Sequence, residues 1–325
     1  MGGDGSRVPR LTTAFLLLVG LPMPAGAPTR AVAQDRPGAA APAPVSVDVP
    51  NREPIPMRPV AKLPPGPVKE NSGIVRSRQF PDLFWMHNDS GDEPRVYPIH
   101  RNGEAYRSTR EPETPGVLIG GAINVDWEDI TVDSDGNLIV ADVGNNGNDR
   151  RDLVLYYIPE PSPDASRTTF RKKVFVRYPG QKDFPAPRSD FNYDCEAVFT
   201  VGNAVHLLTK HRSDTSMKLY RLDHPKAEQT NDLTFLEAFD VRDKAVGADA
   251  TPDGKRVVVV TYKAIWLFER DDASQPLFGG RISYAPYQSP QVEAVCFADD
   301  KSLLLADEET GQLFEVELSG LTRLR

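Results

Sequence analysis

The sequence predicts an all-β chain, a β-propeller of five four-stranded blades closed by an N-terminal strand. Three observations predict it. One hairpin pattern recurs along the chain, each copy leads into a third strand of alternating aromatic and aliphatic residues, and the last copy stops one strand short. Four-strand units repeated in this way assemble radially, and a missing last strand argues against a β-sandwich.

The reference hairpin is "DWEDITVDSDGNLIVAD" (126–142). Ile130, Val132, Leu138 and Val140 alternate with polar neighbours, the period-two pattern of a strand. Asp135-Gly136 supplies the turn, because glycine tolerates the positive φ that two-residue hairpins require. "DCEAVFTVGNAVHLLTK" (194–210), "KAVGADATPDGKRVVVV" (244–260) and "QVEAVCFADDKSLLLAD" (291–307) align with it without a gap. "ENSGIVRSRQFPDLFWMHND" (70–89) fits with a turn about two residues longer. Third strands follow at "RVYPIHR", "LVLYYIP", "KLYRLDH", "AIWLFER" and "QLFEVEL", and more polar fourth strands at segments such as "FRKKVFVRY" and "LTFLEAFDV". The fifth unit reaches Arg325 shortly after its third strand, so its fourth is expected from within Ile55–Leu63, closing the ring as a clasp.

Ahead of the ring, Arg7 and Arg10 precede an apolar run from Leu11 to Leu21, and Ala31-Val32-Ala33 offers a small-residue cleavage site before Gln34. Residues 1–33 therefore read as a secretory signal peptide. The run is about half of the roughly 20 apolar residues a membrane span needs, and Pro22 and Pro24 follow it. No cysteine near the cleavage site offers a lipid anchor. The mature chain is thus expected to be secreted (periplasmic or extracellular) with no integral membrane segment. Residues 34–67 form an Ala/Pro-rich linker that ends in the clasp strand near 55–63, and 68–325 form the propeller domain. Trimming 34–50 is expected to cost little stability.

The chain carries a net charge of −8. Within residues 1–33 Asp4 stands against Arg7, Arg10 and Arg30, so removing them leaves the remainder more acidic still. An acidic surface disfavours nucleic acid and anionic membranes and suits cations. A monomer that binds a protein or small-molecule ligand is expected. The 2 cysteines, Cys195 and Cys296, fall on innermost strands of blades three and five. Those blades are not neighbours in a five-membered ring, so the pair cannot approach within the roughly 7 Å a disulfide needs, and two buried free thiols are expected.

The alignment gathers equivalent residues around one mouth of the central channel. Ser72, Glu128, Glu196, Val246 and Glu293 stand at the start of the first strands. Two residues earlier stand Glu70, Asp126, Asp194, Lys244 and Gln291. The second strands end at Asn88 with Asp89, Asp142, Lys210, Val260 with Thr261, and Asp307. In a regular antiparallel pair Glu128 would lie nearly opposite Asp142, a repulsion that only a proton or a cation relieves. Glu196 and Lys210 are expected to form an ion pair.

Hard oxygen ligands at a channel mouth suit Ca²⁺, which takes 6–8 oxygens. The expected ligands are Glu128, Asp142, Asn145, Glu293 and Asp307, with "DVGNNGNDR" as a flexible oxygen-rich loop. A competing reading has the strand-one acids accept backbone N–H groups of the neighbouring blade and lock the blades together. Asn88, Asp89, Lys210 and Thr261 are candidate ligand-binding residues. Candidates for catalysis are His87 or His211 as a base and Glu128, Glu196 and Glu293 as carboxylates. No Gly-x-Ser-x-Gly elbow, P-loop, dinucleotide fingerprint or zinc-spaced His/Cys cluster occurs.

At "SGIVRSRQFPDLFWMHNDSGDEPRVYPI", "DWEDITV" and "ADVGNN" the chain resembles a group of secreted bacterial propeller proteins that share an SG-I start, an H-N-D-S-G-D turn, D-W-E-D-I and D-[IV]-G-[DN]-N. The resemblance covers roughly residues 70–310, and it implies a propeller fold and export rather than an activity. More loosely, the Glu-led strand starts look like those of calcium-containing propellers such as regucalcin-like lactonases, paraoxonases and calcium-activated apyrases. Fold-level analogy does not settle chemistry. The favoured reading is a secreted binding module or scaffold with Ca²⁺ or an ion-pair ring at the channel mouth. The other readings are a metal-dependent hydrolase of a lactone, ester or phosphate, and a glycosidase similar to the five-bladed arabinanases, using inward carboxylates of Glu128, Glu196 and Glu293.

Overall fold

Each recurring hairpin becomes the two inner strands of a blade. The computed structural model describes residues 42–63, 68–110 and 115–325, together with Met1. The expected signal peptide, apart from Met1, and the start of the expected linker lie outside the described residues. The rest, Pro42–Arg325, is one compact unit.

Blade one is built from Asn71–Arg76, Leu83–Asn88, Arg95–His100 and Val117–Gly120, and blade two from Trp127–Val132, Asn137–Asp142, Val154–Pro159 and Lys172–Arg177. Blade three takes Asp194–Val201, Ala204–Lys210, Ser216–Leu222 and Thr234–Asp240. Blade four takes Ala245–Ala250, Arg256–Thr261, Ala264–Glu269 and Arg281–Pro286. Blade five has Val292–Phe297, Ser302–Asp307 and Gln312–Glu317 from the C-terminal end, and its fourth strand is Arg58–Lys62, antiparallel to Gln312–Glu317. The clasp falls inside the segment expected for it. The first strand of each blade packs on the first strands of the blades on either side, with blade five against blade one, so the ring closes at five.

Side chains that alternate on two faces of a strand must be buried on both when the strand is flanked by neighbours. Here the hydrophobic core divides into five clusters, each between adjacent blades. Trp85 and Trp127 fill the space between blades one and two, and Trp266 that between blades three and four. Cys195 and Cys296 are free and buried.

Outer strands expose a ladder edge, a liability in any sheet. Four blades cover it with chain borrowed from elsewhere. Arg167–Thr169 pairs parallel with the fourth strand of blade one, and Thr230–Asp232 with that of blade two. Thr322–Arg323 pairs with the fourth strand of blade four. On blade three the cover is Val45, whose N–H donates to Ala238 O at 2.8 Å and whose carbonyl accepts from Asp240 N at 2.9 Å. Val47 and Val49 pack beside it against the core between blades three and four. This corrects the expectation that residues up to 50 are idle linker. From Val45 the chain continues across blade four, where Ile55 N donates to Pro286 O at 2.8 Å, before joining blade five. It is a strap over three consecutive blades.

The locks between blades are not the strand-one glutamates. Asp129, fully buried, accepts from Val198 N of blade three at 2.8 Å, and Asp249 of blade four accepts from Phe297 N of blade five at 2.9 Å. Glu160 ties blade two to blade one by accepting from Trp85 Nε1 at 2.8 Å and from the Ser77 hydroxyl. Backbone N–H groups of a neighbouring blade are thus accepted by residues past the mouth; of the strand-one glutamates only Glu293 bonds across blades among the described residues, to the Tyr262 hydroxyl, and Glu128 has no such bond.

Candidate functional site

Every blade begins with the same irregularity. The pairing of first and second strands slips at Ser72, Glu128, Glu196, Val246 and Glu293, the aligned strand-one positions. A bulge places two residues of one strand opposite one of its partner and re-aims a side chain. Trp127, not Glu128, consequently pairs with Asp142, so Glu128 and Asp142 do not face each other. Glu128, Glu196 and Glu293 instead line a cavity of about 650 Å³ at the channel mouth. It is bordered by all five blades, among others through Asp89 of blade one, Lys210 and Arg212 of blade three, Tyr262 of blade four and Glu308 of blade five.

Asp142 turns back into its own blade. Its carboxylate accepts Val125 N at 3.2 Å and Asp126 N at 3.1 Å, and Arg150 stands 2.8 Å away as an ion pair. Asp307 does the same in blade five, accepting Gln291 N at 2.9 Å, Thr310 N at 2.8 Å and the hydroxyls of Thr310 and Ser289. The side-chain oxygen of Asn145 already accepts Asp149 N and Arg150 N at 2.9 Å, while its amide donates to Tyr193 O at 3.0 Å. These three residues shape the loops around the mouth. Glu293 is held on the far side, accepting from Tyr262 OH at 3.1 Å and Gln291 Nε2 at 3.0 Å.

What the fold brings together is a different set centred on Glu128. The carboxylates of Asp89, Asp126 and Glu128 can place oxygens within 4.8 Å of one another, and so can those of Glu128, Asp194 and Glu196. Asp194 is satisfied by Arg212 at 2.7 Å and Asn145 N at 2.7 Å. Glu196 has Lys210 Nζ at 2.7 Å, and Lys210 also donates to Tyr262 OH at 2.9 Å. Glu128 is 3% exposed, and no donor among the described residues reaches its carboxylate. Gly144 covers it from the loop side: a Cβ there would collide with Oε1 of Glu128 and Oδ2 of Asp126.

Burial, followed by the fields of Glu196, Asp194, Asp89 and Asp126, holds Glu128 well above the usual carboxylate range. Asp126 is pushed to about 6 by burial and by Asp89 and Asp194, against the pull of Arg150. Burial and Asp194 raise Glu196 to about 8 although Lys210 opposes them. Burial alone would lower Lys210, but Glu196 and Tyr262 keep its ammonium charged. The proton that this crowded pair retains therefore belongs on Glu128, the member with no donor. Across the mouth, burial and Glu293 raise Glu308 to about 9. Near neutral pH the mouth must either keep protons or take up a positive charge.

The remaining sequence candidates divide cleanly. Asp89 and Lys210 border the cavity. Asn88 accepts Lys69 N at 3.0 Å, and Thr261 Oγ1 accepts Ala264 N at 3.1 Å, both in turn-holding roles. His87 is fully buried edge-on against Trp127 at 5.7 Å, and burial lowers it to about 4. His211 is buried with Nδ1 2.7 Å from Asp214, and burial lowers it also to about 4. Neither histidine borders the cavity. The sequence placed Asp126 and Asp194 at the mouth without marking them as candidate ligands, and it did not point to Arg212, Tyr262 or Glu308. The acids two residues before each bulge, in "DWE" and "DCE", were the signal for the first two.

No family model matches the chain, and no curated protein matches it. Among solved structures it is similar to a gluconolactonase-like protein, at 10% identity and a TM-score of 0.41, covering 83% of this chain and 93% of that one. It is also similar to virginiamycin B lyase from Staphylococcus aureus, at 16% identity and a TM-score of 0.38, covering 78% and 68%. Kuenenia stuttgartiensis hydrazine synthase matches at 10% identity and a TM-score of 0.41, covering 77% and 72%. At such identities the functional reading rests on the geometry of the mouth alone.

Proposed function

We propose that the protein is an exported, monomeric binding propeller whose channel mouth holds a hard divalent cation, Ca²⁺ before others. The observation that carries this is Glu128: a carboxylate 3% exposed, without a donor, standing between Asp126 and Asp89 on one side and Glu196 on the other. Asp126, Glu128 and Asp89 would hold the ion, because Asp194 and Glu196 already have Arg212 and Lys210 as counter-charges. A flexible all-oxygen set of this kind suits Ca²⁺ better than Mg²⁺, which demands near-octahedral geometry and keeps its waters. The bound ion would supply positive charge for an anionic or hydroxyl-bearing ligand. Lys210 and Tyr262 would orient that ligand from the other wall. Export follows from the signal-peptide pattern. No helix of the described residues is long and apolar enough to cross a membrane.

The test is the melting temperature of chelator-treated protein against free Ca²⁺. A ligand that binds only the folded ring stabilises it by about 2.7 kcal/mol at 100 times its Kd. A rise that continues with the logarithm of free Ca²⁺ is expected, and a flat curve from micromolar to millimolar Ca²⁺ refutes the cation reading. A metal-dependent hydrolase is the second reading, favoured by Asp126. In that reading Glu128 and Asp89 would hold the ion, and Asp126, which burial pushes to about 6, would stand beside it and accept a proton from water near neutral pH. Turnover of a lactone, ester or phosphate panel that needs Ca²⁺ and is lost in Asp126→Asn would establish it over pure binding. N-terminal sequencing of exported protein should begin near Gln34.

A further inference from the structure

Between the N-terminal strap, blade four and the loops that join blade four to its neighbours lies a groove of about 910 Å³, which includes none of the cation ligands and shares Tyr262 with the lining of the mouth. Its charged lining residues are Arg52, Arg242 and Lys263, and no Asp or Glu borders it, on a chain whose net charge is −8. None of the three has a carboxylate partner within ion-pair distance among the described residues. Arg242 sits at a φ of 58°, costly for a residue with a Cβ, and its guanidinium donates to Val47 O at 2.6 Å, so it pins the strap that forms one wall. Tyr262 and Tyr284, both half-buried, supply aromatic surface, and the buried Tyr287 backs it. The hydroxyl of Tyr287 is engaged by Thr261 O and that of Tyr262 by Lys210 and Glu293.

Cations outside ion-pair distance of any carboxylate draw an anion, although the Asp243 charge is felt at Tyr284 and Tyr287, and a half-buried tyrosine ring offers a flat face to another ring. The volume is within the range of ligand pockets, about 300–1,000 Å³. We propose that this groove is a second binding site, for a ring that bears a carboxylate, and that an acidic carbohydrate built of uronic-acid rings is its natural occupant. Arg52 and Lys263 pair with the carboxylates, and Tyr284 packs on the ring. The strap has a function beyond covering blade three: it builds a wall of this site.

The experiment is calorimetric titration of the full mature chain with trigalacturonate, neutral galactotriose and benzoate. Trigalacturonate should bind at least about tenfold more tightly than galactotriose, a difference of about 1.4 kcal/mol. Arg52→Gln/Lys263→Gln should lose about tenfold or more in that affinity while melting as the parent does, because both side chains are exposed. Glu128→Gln should bind trigalacturonate unchanged, which separates this site from the cation site. Benzoate binding without trigalacturonate binding keeps the ring-carboxylate chemistry and moves the source to aromatic acids, overturning the carbohydrate assignment. No binding of either acid below roughly 10 mM, equal binding of the neutral sugar, or an unaffected double variant overturns the site.

Discussion

Two adjacent carboxylates, Glu128 and Asp129, should respond to replacement with opposite signs. Asp129 is fully buried and accepts Val198 N and Ile130 N, both at 2.8 Å. Asp129→Ala strands these two N–H groups, each at a cost of about 1–3 kcal/mol. Relief of a desolvated carboxyl offsets part of this, leaving a loss of about 2–4 kcal/mol, or a melting temperature lower by roughly 5–12 °C. Glu128 accepts nothing and faces acids whose oxygens lie within 4.8 Å. One unscreened like-charge pair at that distance costs about 3 kcal/mol at an effective dielectric of 20. Retained protons and the Lys210 and Arg212 charges reduce that, so Glu128→Gln should stabilise chelated protein by about 1–2 kcal/mol, roughly 2–6 °C. Adding Ca²⁺ should reverse the ranking, because the parent gains the ion's binding energy and the variant loses most of it. Differential scanning calorimetry at pH 8, with chelator and with Ca²⁺, gives all four values. A destabilised Glu128→Gln in chelator would refute the idea that the mouth is electrostatically unsatisfied.

Gly144→Ala drives a methyl into the carboxylates of Glu128 and Asp126; it should weaken Ca²⁺ binding about tenfold or more by titration, with a smaller effect on folding than Asp129→Ala. In chelator, stability should fall as pH rises from about 7.5 to 9: the Glu128–Glu196 pair, with its retained proton on Glu128, and Glu308 at about 9 stay protonated in the folded chain after they ionise in the unfolded one, so the native state holds more protons. The buried histidines at about 4 are neutral in the folded chain, and unfolded histidines lose their protons by about pH 7.5, so they drop out of that window. Ca²⁺ should flatten the slope, and a chelator profile that is already flat would contradict the raised pKa values. Starting the chain at Asn51 removes the Val45 pairing and should cost about 1–3 kcal/mol by urea denaturation, whereas starting at Leu63 removes the clasp strand and should abolish cooperative folding. Equal midpoints for the two truncations would refute the closure.

The fold was legible because its signals are local. Alternation in Ile130–Val140, the Asp135-Gly136 turn and the missing last strand each follow from short-range chemistry, and the repeat multiplies them. The six-residue connection between Arg76 and Leu83 even matches the longer turn read from "RSRQFPD". The site was legible only in part. Alignment placed Glu128, Glu196 and Glu293 at one mouth, but it assumed an unbroken ladder. The bulge at each strand start is invisible to a gapless alignment, since all five blades carry it at the same position. It turned Asp142 and Asp307 into loop closures and put Asp126 beside Glu128. Asn145 was read as a free ligand because its partners, Asp149 N and Tyr193 O, depend on loop folding. The strap could not be read from "PAPVSVDVP", where Val45, Val47 and Val49 alternate but proline content suggests a linker.

The central claim is that Glu128 awaits a cation. Crystals of the chain from Gln34 onward grown with Ca²⁺, measured at a wavelength where calcium scatters anomalously, test it most directly. The account predicts one anomalous peak at the channel mouth, roughly 2.3–2.6 Å from carboxylate oxygens of Glu128, Asp126 and Asp89. A map with no peak there, in crystals soaked at millimolar Ca²⁺, would contradict it and leave Glu128 as a buried, protonated acid.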